Sequence, residues 1–181
     1  CQGDITIPEG VTAVGDYAFY GNHAITSVSF PQSLKSVGRR AFSACTALTG
    51  IYFQGPAERM GEGAFEKCAG LTEITIDAQT IGRRAFAWCT SLESARCLSS
   101  RRLQEEAFCG CSKLQVWEGR PEEIGCRAFS GCESLEAFPL SAAKRIGARA
   151  FERCDGLERI SLPGTARIGA HAFEDCGRLK T

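Results

Sequence analysis

VGRRAFSACTALTGIYF, residues 37–53, holds one complete copy of a pattern that recurs along this chain of 181 residues. The copy begins with an aliphatic residue and Gly, continues with Ala-Phe, Cys and Leu at fixed distances, and ends with an apolar, variable, apolar triplet. Eight Ala-Phe pairs recur at intervals of 21 to 23 residues, apart from one further pair at residues 137–138. The phenylalanines of the eight pairs are Phe19, Phe42, Phe65, Phe86, Phe108, Phe129, Phe151 and Phe173. A fixed period of this length is typical of proteins whose repeats stack on one another.

The spacing inside each copy does not vary. The leading aliphatic residue always lies five positions before Phe, and the triplet always begins nine positions after it. Seven positions separate the triplet residue Ile7 from the next aliphatic residue Val14, whereas five separate Ile76 from Ile81. Stacked coils need equivalent side chains above one another, whereas a surface connection can change length. The pattern therefore predicts coils that pack through the pattern residues and are joined by surface loops.

Within one coil, residues 48–53 alternate between apolar and variable positions, which favours a strand. Pro8, Pro31 and Pro163 follow triplets and are expected to end strands, because proline cannot donate to a ladder. Ala-Phe-x-x-Cys is too short for an independent helix, so we expect a single helical or 3₁₀ turn held by packing. The predicted fold class is an α/β solenoid of about eight 21–23-residue coils, forming one domain over residues 1–181 without distinct caps.

The pattern Ile-Gly-x-x-Ala-Phe-x-x-Cys-x-x-Leu-x-x-Ile-x-Ile-Pro resembles the BspA-like leucine-rich repeat, also called the Treponema pallidum class. The resemblance extends over residues 5–179. It implies a right-handed leucine-rich-repeat superhelix with one strand of each coil on the concave face. Proteins of this class are surface or secreted proteins of bacteria and some protists, and several are adhesins that bind host matrix proteins such as fibronectin and fibrinogen. Asn22, Gln104 and Gly119 depart from the pattern, so coils five and six are expected to be less regular.

Seven of the 11 cysteines occupy one repeat position. Because Asn22 stands there in the first coil, we expect the position to turn the chain and to satisfy a buried backbone group. One thiol per coil along a line suits neither a tetrahedral zinc site nor a disulfide, so these cysteines are expected to be reduced. A disulfide between Cys109 and Cys126, in adjacent coils, stays open as an alternative. The predicted structural ladder consists of Cys45, Cys68, Cys89, Cys111, Cys132, Cys154 and Cys176.

Cys1 admits two interpretations. It is either only the first residue of the sequence as given, or the acylated first residue of a mature lipoprotein. The second interpretation predicts a lipid anchor at Cys1. Together with the resemblance, it predicts a location outside the cytoplasm, in the cell envelope or at the cell surface.

The composition argues against several classes of protein. Lys plus Arg and Asp plus Glu number 21 each, so no basic excess is available for nucleic acid. The longest apolar run, residues 85–89, is far too short for a transmembrane segment. The motifs of hydrolases, phosphate-binding loops and zinc proteases are missing, and His23 and His171 are expected on the surface. We therefore predict a protein that is not an enzyme and that needs no cofactor or metal.

The outward residues of the triplets are the natural contact surface, because strands present alternate side chains in rows across stacked coils. The leading hypothesis is a non-enzymatic protein–protein interaction module, acting as an adhesin for host matrix proteins as the resemblance implies. The alternative is a structural envelope protein that assembles with its own copies into homo-oligomers through uncapped ends. The predicted partner-binding residues are Tyr52, Glu73, Arg96, Glu118 and Arg159.

Overall fold

The computed structural model describes residues 3–162, 164 and 167–180, so Cys1 and Pro163 lie outside the described residues. The chain forms a β-solenoid of about seven turns. The triplets supply β1 (Gly3–Thr6), β3 (Ile25–Phe30), β5 (Gly50–Phe53), β7 (Glu73–Thr75), β9 (Ser94–Arg96) and β11 (Val116–Glu118). The leading aliphatic residues supply β2 (Ala13–Val14), β4 (Ser36–Val37), β6 (Ala57–Met60), β8 (Ala78–Ile81), β10 (Arg102–Leu103), β12 (Glu123–Ile124), β13 (Arg145–Ile146) and β14 (Arg167–Ile168).

The strands form parallel sheets on different sides of each coil. The second set makes one eight-stranded sheet, in the order β2-β4-β6-β8-β10-β12-β13-β14, which we call the long sheet. The triplet strands make two three-stranded sheets, β1-β3-β5 and β7-β9-β11, which we call the triplet sheets. A bridge between Ala137 and Arg159 continues the triplet side into the last coils. The long sheet was missed in the sequence, because its strands are only two to four residues long and show no alternation.

The Ala-Phe-x-x-Cys segments contain no helix anywhere in the described residues. The predicted helical or 3₁₀ turn is therefore wrong, and the solenoid is built from strands and turns rather than being α/β. In coil two, Arg40 and Ala44 adopt left-handed φ angles of 49° and 61°. A left-handed residue on each side of Phe42 stops a helix from propagating. The amide of Phe42 instead donates to the carbonyl of Ala64 in the next coil, at 2.8 Å, so the turns also join the coils.

The repeated phenylalanines form a single stacked column in the core. The rings of Phe42, Phe65 and Phe86 follow one another with centroids 5.3 Å apart and interplanar angles of 5° and 7°. From Phe42 through Phe151 the six column members are fully buried. Each such ring contributes roughly 2–3 kcal/mol by leaving water, so the column is a major source of stability.

A glycine follows the leading aliphatic residue in most coils because the coils approach closely there. A Cβ atom at Gly61 would lie 2.7 Å from the carbonyl oxygen of Val37 in the preceding coil. The same position in coil five is Gln104, whose Oε1 accepts a hydrogen bond from the amide of Arg83 at 3.0 Å. Coil five keeps its register in the long sheet, so Gln104 does not make it irregular.

One carboxylate is buried between two arginines on the outside of the Phe turns. The side chain of Glu66 is 6% exposed and lies 3.3 Å from Nη2 of Arg84 and 3.7 Å from Nε of Arg40. Gly63 occupies the place between these two arginines in the stack, and a Cβ atom there would lie 3.2 Å from Glu66 Oε2. The missing side chain lets both guanidinium groups approach Glu66.

The triplet ladder is interrupted between coils three and four, if each coil is counted from its triplet strand, so that β5 and β6 belong to coil three and β7 and β8 to coil four. In this described part of the chain β5 and β7 are not hydrogen-bonded to each other, whereas β6 and β8 remain paired. The segment that connects a triplet strand to the next strand of the long sheet also becomes shorter here. Nine positions separate Ile51 from Met60, but seven separate Ile74 from Ile81. We call this boundary the seam. The shorter segment repositions β7, and the coils stay connected through the long sheet and the turns.

Candidate protein-binding surface

Outward residues of the triplet strands lie in rows, as register between parallel strands requires. Thr6, Ser29 and Tyr52 are aligned on β1, β3 and β5. Beyond the seam, Thr75, Arg96 and Glu118 are aligned on β7, β9 and β11. The row therefore changes from hydroxyl-bearing to charged side chains along the stack.

Tyr52 is the most prominent side chain in the hydroxyl-bearing half. It is 59% exposed, and its ring lies over Gly50, where a Cβ atom would be 2.6 Å from the phenolic oxygen. Asp4 is held close by its neighbours, since its carboxylate accepts hydrogen bonds from Ser27 at 2.6 Å and Thr26 at 2.9 Å. These hydrogen bonds lower the pKa of Asp4, Ser27 contributing most. The first half of the surface thus presents one exposed aromatic ring among hydroxyl groups.

Arg96 and Glu118 are the only two predicted partner-binding residues that the described structure brings into contact. Nε of Arg96 lies 3.0 Å from Oε1 of Glu118, and their side chains are 56% and 43% exposed. Exposed pairs of this kind contribute at most about 1 kcal/mol to stability. Their charges nevertheless face each other, so a partner would have to compete for them.

Glu73 and Arg159 lie on the same side of the solenoid but apart from the pair. Glu73 is in register with Ser94, and Ser94 with Val116, which is half-exposed. Arg159 is opposite Ala137 in the last coils. The five predicted residues therefore share one side of the molecule without forming one compact cluster.

An edge groove beside the triplet side was missed in the sequence. Its volume is about 540 Å³, and Gln115 on its wall donates a hydrogen bond from Nε2 to Oε1 of Glu136 at 2.6 Å. Its lining carries four carboxylates and two cations, so the groove is acidic on balance. The positions two and four residues after the ladder cysteines supply most of this lining, and comparing those positions coil by coil would have revealed it. The main lining residues are Glu93, Lys113, Gln115, Glu133, Glu136, Asp155 and Arg178.

The ladder thiols are hydrogen-bond donors, and all of them except Cys176 are buried. Each donates from Sγ to the carbonyl oxygen of the Phe in the preceding coil, at 3.1 to 3.3 Å. Burial raises the pKa of the Cys68 thiol well above 9.0 and that of Cys89 to about 12. Since the thiolate is the reactive form, these buried thiols are chemically inert at neutral pH. Cys109 and Cys126 are both unpaired, so the structure contains no disulfide between them.

Neither a metal centre nor a membrane span emerges from the part of the chain that the structure describes. No group of three or more His, Cys, Asp or Glu residues in it could hold a metal ion. It also contains no helix long and apolar enough to cross a membrane.

Comparison with known proteins supports the repeat assignment. The family described as BspA type leucine rich repeat region, present in 6 copies, matches residues 2–115 and 79–181. The Treponema pallidum leucine-rich-repeat protein, known from a crystal structure, is 26% identical with a TM-score of 0.54, over 73% of this chain and 77% of that one. No curated protein sequence matches the chain.

Two further crystal structures are similar over nearly the whole chain. A leucine-rich-repeat protein from Bacteroides ovatus is 25% identical with a TM-score of 0.69, over 98% of this chain and 59% of that one. The chain thus spans about three-fifths of that protein's length. A leucine-rich cell surface protein from Faecalibacterium prausnitzii is 22% identical with a TM-score of 0.51, over 98% of this chain and 68% of that one, which establishes the shared fold alone.

Proposed function

The chain belongs to the BspA-type leucine-rich-repeat family, and from that premise we propose that it is a non-enzymatic module that binds proteins outside the cytoplasm. Leucine-rich-repeat proteins are generally binding modules rather than enzymes, which supports this class of function. The more specific proposal is an adhesin that binds host matrix proteins through the triplet side, where Tyr52 is the anchor.

The observation that carries the proposal is the setting of Tyr52. An exposed tyrosine among small hydroxyl side chains combines a large contact area with few rotatable bonds, and such surfaces recognise proteins well. Ser29 lies directly beside Tyr52, Ser27 lies beside Gly50 on the same strand pair, and Thr6 follows one strand further along the row. The Arg96–Glu118 pair is already satisfied, so we assign it a secondary role at the rim of the contact.

One comparison supports a location outside the cytoplasm. The similar Faecalibacterium protein is itself described as a cell surface protein. The lipid anchor proposed at Cys1 concerns a residue outside the described part of the chain.

The test is binding of the purified protein to immobilised fibronectin and fibrinogen. Tyr52→Ala should weaken binding at least about tenfold, as expected for an anchor worth more than about 1.4 kcal/mol. Tyr20→Ala is the matched control, because Tyr20 is 54% exposed but lies in a turn away from the triplet side. Arg96→Ala combined with Glu118→Ala should weaken matrix-protein binding less than Tyr52→Ala does. Equal losses for Tyr52→Ala and Tyr20→Ala would refute the assigned anchor, and no binding to either matrix protein would refute the adhesin proposal.

Self-assembly of a structural envelope protein is the second candidate. In this proposal copies would stack end to end against the half-buried rings of Phe19 and Phe173. Light scattering should then detect oligomers whose mass rises with concentration in the micromolar range, and a strict monomer there would exclude this candidate.

A further inference from the structure

Positive charge is concentrated on the outer side of the long sheet, although the chain as a whole has a formal charge of zero. The relevant residues are the outward side chains of the strands and the residues just before them in coils five to eight. We call this set the basic surface. It consists of Arg101, Arg102, Lys144, Arg145 and Arg167, all of which are exposed.

Most of the neighbouring coils on this side are joined by ion pairs. Nζ of Lys144 lies 2.7 Å from Oε2 of Glu122, and Nε of Arg102 lies 3.5 Å from Oε2 of Glu123. The hydrogen bond and charge of Lys144, followed by the charges of Arg101 and Arg102, lower the pKa of Glu122. The rule in this part of the sheet is thus a cation in one coil facing a carboxylate in the next.

Arg145 and Arg167 break this rule. They lie directly opposite each other in the parallel pair of β13 and β14, which places their Cα atoms about 4.8 Å apart. Within the described residues neither has a carboxylate within 4.0 Å, since Glu123, opposite Arg145 on its other side, pairs with Arg102. Like charges directly opposite in a sheet destabilise the fold. An anion held between the two guanidinium groups would remove this repulsion.

A groove of about 540 Å³ reaches Arg145, the first member of the pair. It runs along the outside of coils four to seven, and its floor includes Ile124, Gly125 and Gly147. Arg102 and Arg145 lie on its walls. Two carboxylates, those of Glu105 and Glu123, also line it, but each lies within 3.6 Å of an arginine, Arg83 and Arg102 respectively. An extended ligand in the groove would therefore contact Arg102 and then Arg145, which lies beside Arg167.

We propose that the basic surface binds a linear sulfated polysaccharide. The planar guanidinium group donates paired hydrogen bonds to sulfate oxygens, and two adjacent groups can hold one sulfate. The surface is open, so a single small anion would be held weakly, whereas a chain of linked sulfates gains affinity by engaging several cations at once. The site lies on the long sheet and so is distinct from Tyr52 and the triplet side. The choice of a sulfated polysaccharide over other polyanions rests on the proposed location outside the cytoplasm.

The experiment measures binding of the purified protein to heparin, as a sulfated probe, over a range of salt concentrations. We expect binding at about 0.15 M salt, and little binding to heparin from which the sulfates have been removed. Arg145→Ala combined with Arg167→Ala should weaken heparin binding about tenfold or more. The slope of log affinity against log salt should fall by about two, one for each cation removed.

Two control variants separate position from charge. Arg153→Ala combined with Arg178→Ala removes the same charge elsewhere, from a Phe turn and from the edge groove, and should leave heparin affinity nearly unchanged. Arg145→Lys combined with Arg167→Lys should retain part of the affinity, since the charge remains but the paired donors are lost. Circular dichroism and thermal unfolding establish that each variant is folded.

Three results would overturn the proposal: no heparin binding, equal losses in the two double alanine variants, or tighter binding of polyphosphate of equal charge. Tyr52→Ala should leave heparin binding intact. Failure of the heparin experiment would therefore leave the protein-binding proposal standing, and loss of matrix-protein binding alone would leave the basic surface standing.

Discussion

The Sγ atom of Cys89 lies 3.2 Å from the carbonyl oxygen of Phe65, one coil earlier, and donates a hydrogen bond to it. The amide of Cys68 donates to the same carbonyl from within its own turn, at 3.3 Å. The thiol therefore supplies the second partner of a buried acceptor, which explains how a cysteine can serve the same position in seven coils.

We predict that Cys89→Ala lowers the free energy of unfolding by about 1–3 kcal/mol, because a buried carbonyl loses one partner and a small cavity opens. Cys97→Ala measures the cavity alone, since Cys97 is equally buried and its thiol donates no hydrogen bond among the described residues. Urea unfolding should show a larger loss of unfolding free energy for Cys89→Ala than for Cys97→Ala. An equal loss for both variants would assign the thiol a packing role only.

Alkaline pH should destabilise the fold through the same thiols. Burial raises the pKa of Cys89 from 9.0 to about 12, so above pH 9 the unfolded chain releases this proton before the folded chain does. The free energy of unfolding should therefore be unaffected by these thiols below pH 9 and fall as pH rises from 9 toward 12, by about 1.4 kcal/mol per pH unit for each such thiol. Denaturant unfolding across this range should show a shallower decline in Cys89→Ala than in the parent chain. Identical slopes would contradict the assignment.

Thiol labelling should distinguish the cysteines by burial. Cys126 is exposed, whereas Cys68, Cys89 and Cys111 are buried and burial raises the pKa of each. In the native protein at neutral pH, a maleimide followed by peptide mass analysis should modify Cys126 within minutes, and Cys68, Cys89 and Cys111 only after denaturant is added. Cys126→Ser should remove the fast reaction at that peptide. Rapid native labelling of Cys89 would mean that the ladder opens on the timescale of the reaction.

Gly61→Ala should lower the free energy of unfolding by about 1–3 kcal/mol or more, because its Cβ atom would press against the Val37 carbonyl, which is fixed in a strand. Gly15 offers a matched control, since it has the same repeat position in coil one, and a Cβ atom there would meet no described neighbour within 4 Å. Gly15→Ala should be neutral or slightly stabilising. Thermal unfolding of both variants tests the idea that coil stacking, and not backbone freedom, requires this glycine.

Glu66→Ala should lower the free energy of unfolding by about 2–4 kcal/mol, because Arg40 and Arg84 lose the buried carboxylate that they share. Arg84 then keeps only Glu106, whose Oε2 lies 3.0 Å from its Nε. Glu105→Ala is the control: Glu105 also contacts an arginine, Arg83, but both side chains are about half exposed. Glu105→Ala should change the free energy of unfolding by no more than about 0.5 kcal/mol. Comparable losses at Glu66 and Glu105 would show that burial of Glu66 contributes nothing.

The stacking and the inward positions could be predicted because the period fixes them: Phe42, Phe65 and Phe86 had to form a column once their spacing repeated. The form of the turn could not be predicted from one copy, because one helical turn and two successive β-turns have the same length. Aligning the copies would have helped. Gly63 and Gly110 occupy repeat positions at which other coils hold Arg40 and Trp88, and all four have left-handed φ angles, which glycine adopts most easily.

The candidate surfaces were only partly predictable. The alignment of outward residues such as Tyr52 follows from strand periodicity, and so does the place of Arg96 beside Glu118 in one row. Periodicity does not show that the two side chains form an ion pair, because that depends on their conformations. The basic surface was hidden because net charge averages over all sides of the molecule. Reading the residue before each leading aliphatic position would have revealed Arg145 and Arg167 as neighbours.

The seam between β5 and β7 has a mechanical consequence. A force that pulls the two ends of the stack apart is resisted at every other boundary of coils one to six by ladders on both sides, but at this boundary by β6, β8 and the turns alone. Every boundary of a stack pulled at its two ends carries the same force, so the boundary with fewer hydrogen bonds gives way first. Among coils one to six, the stack should therefore extend by opening at the triplet side of the seam, while the coils on either side stay paired through both ladders.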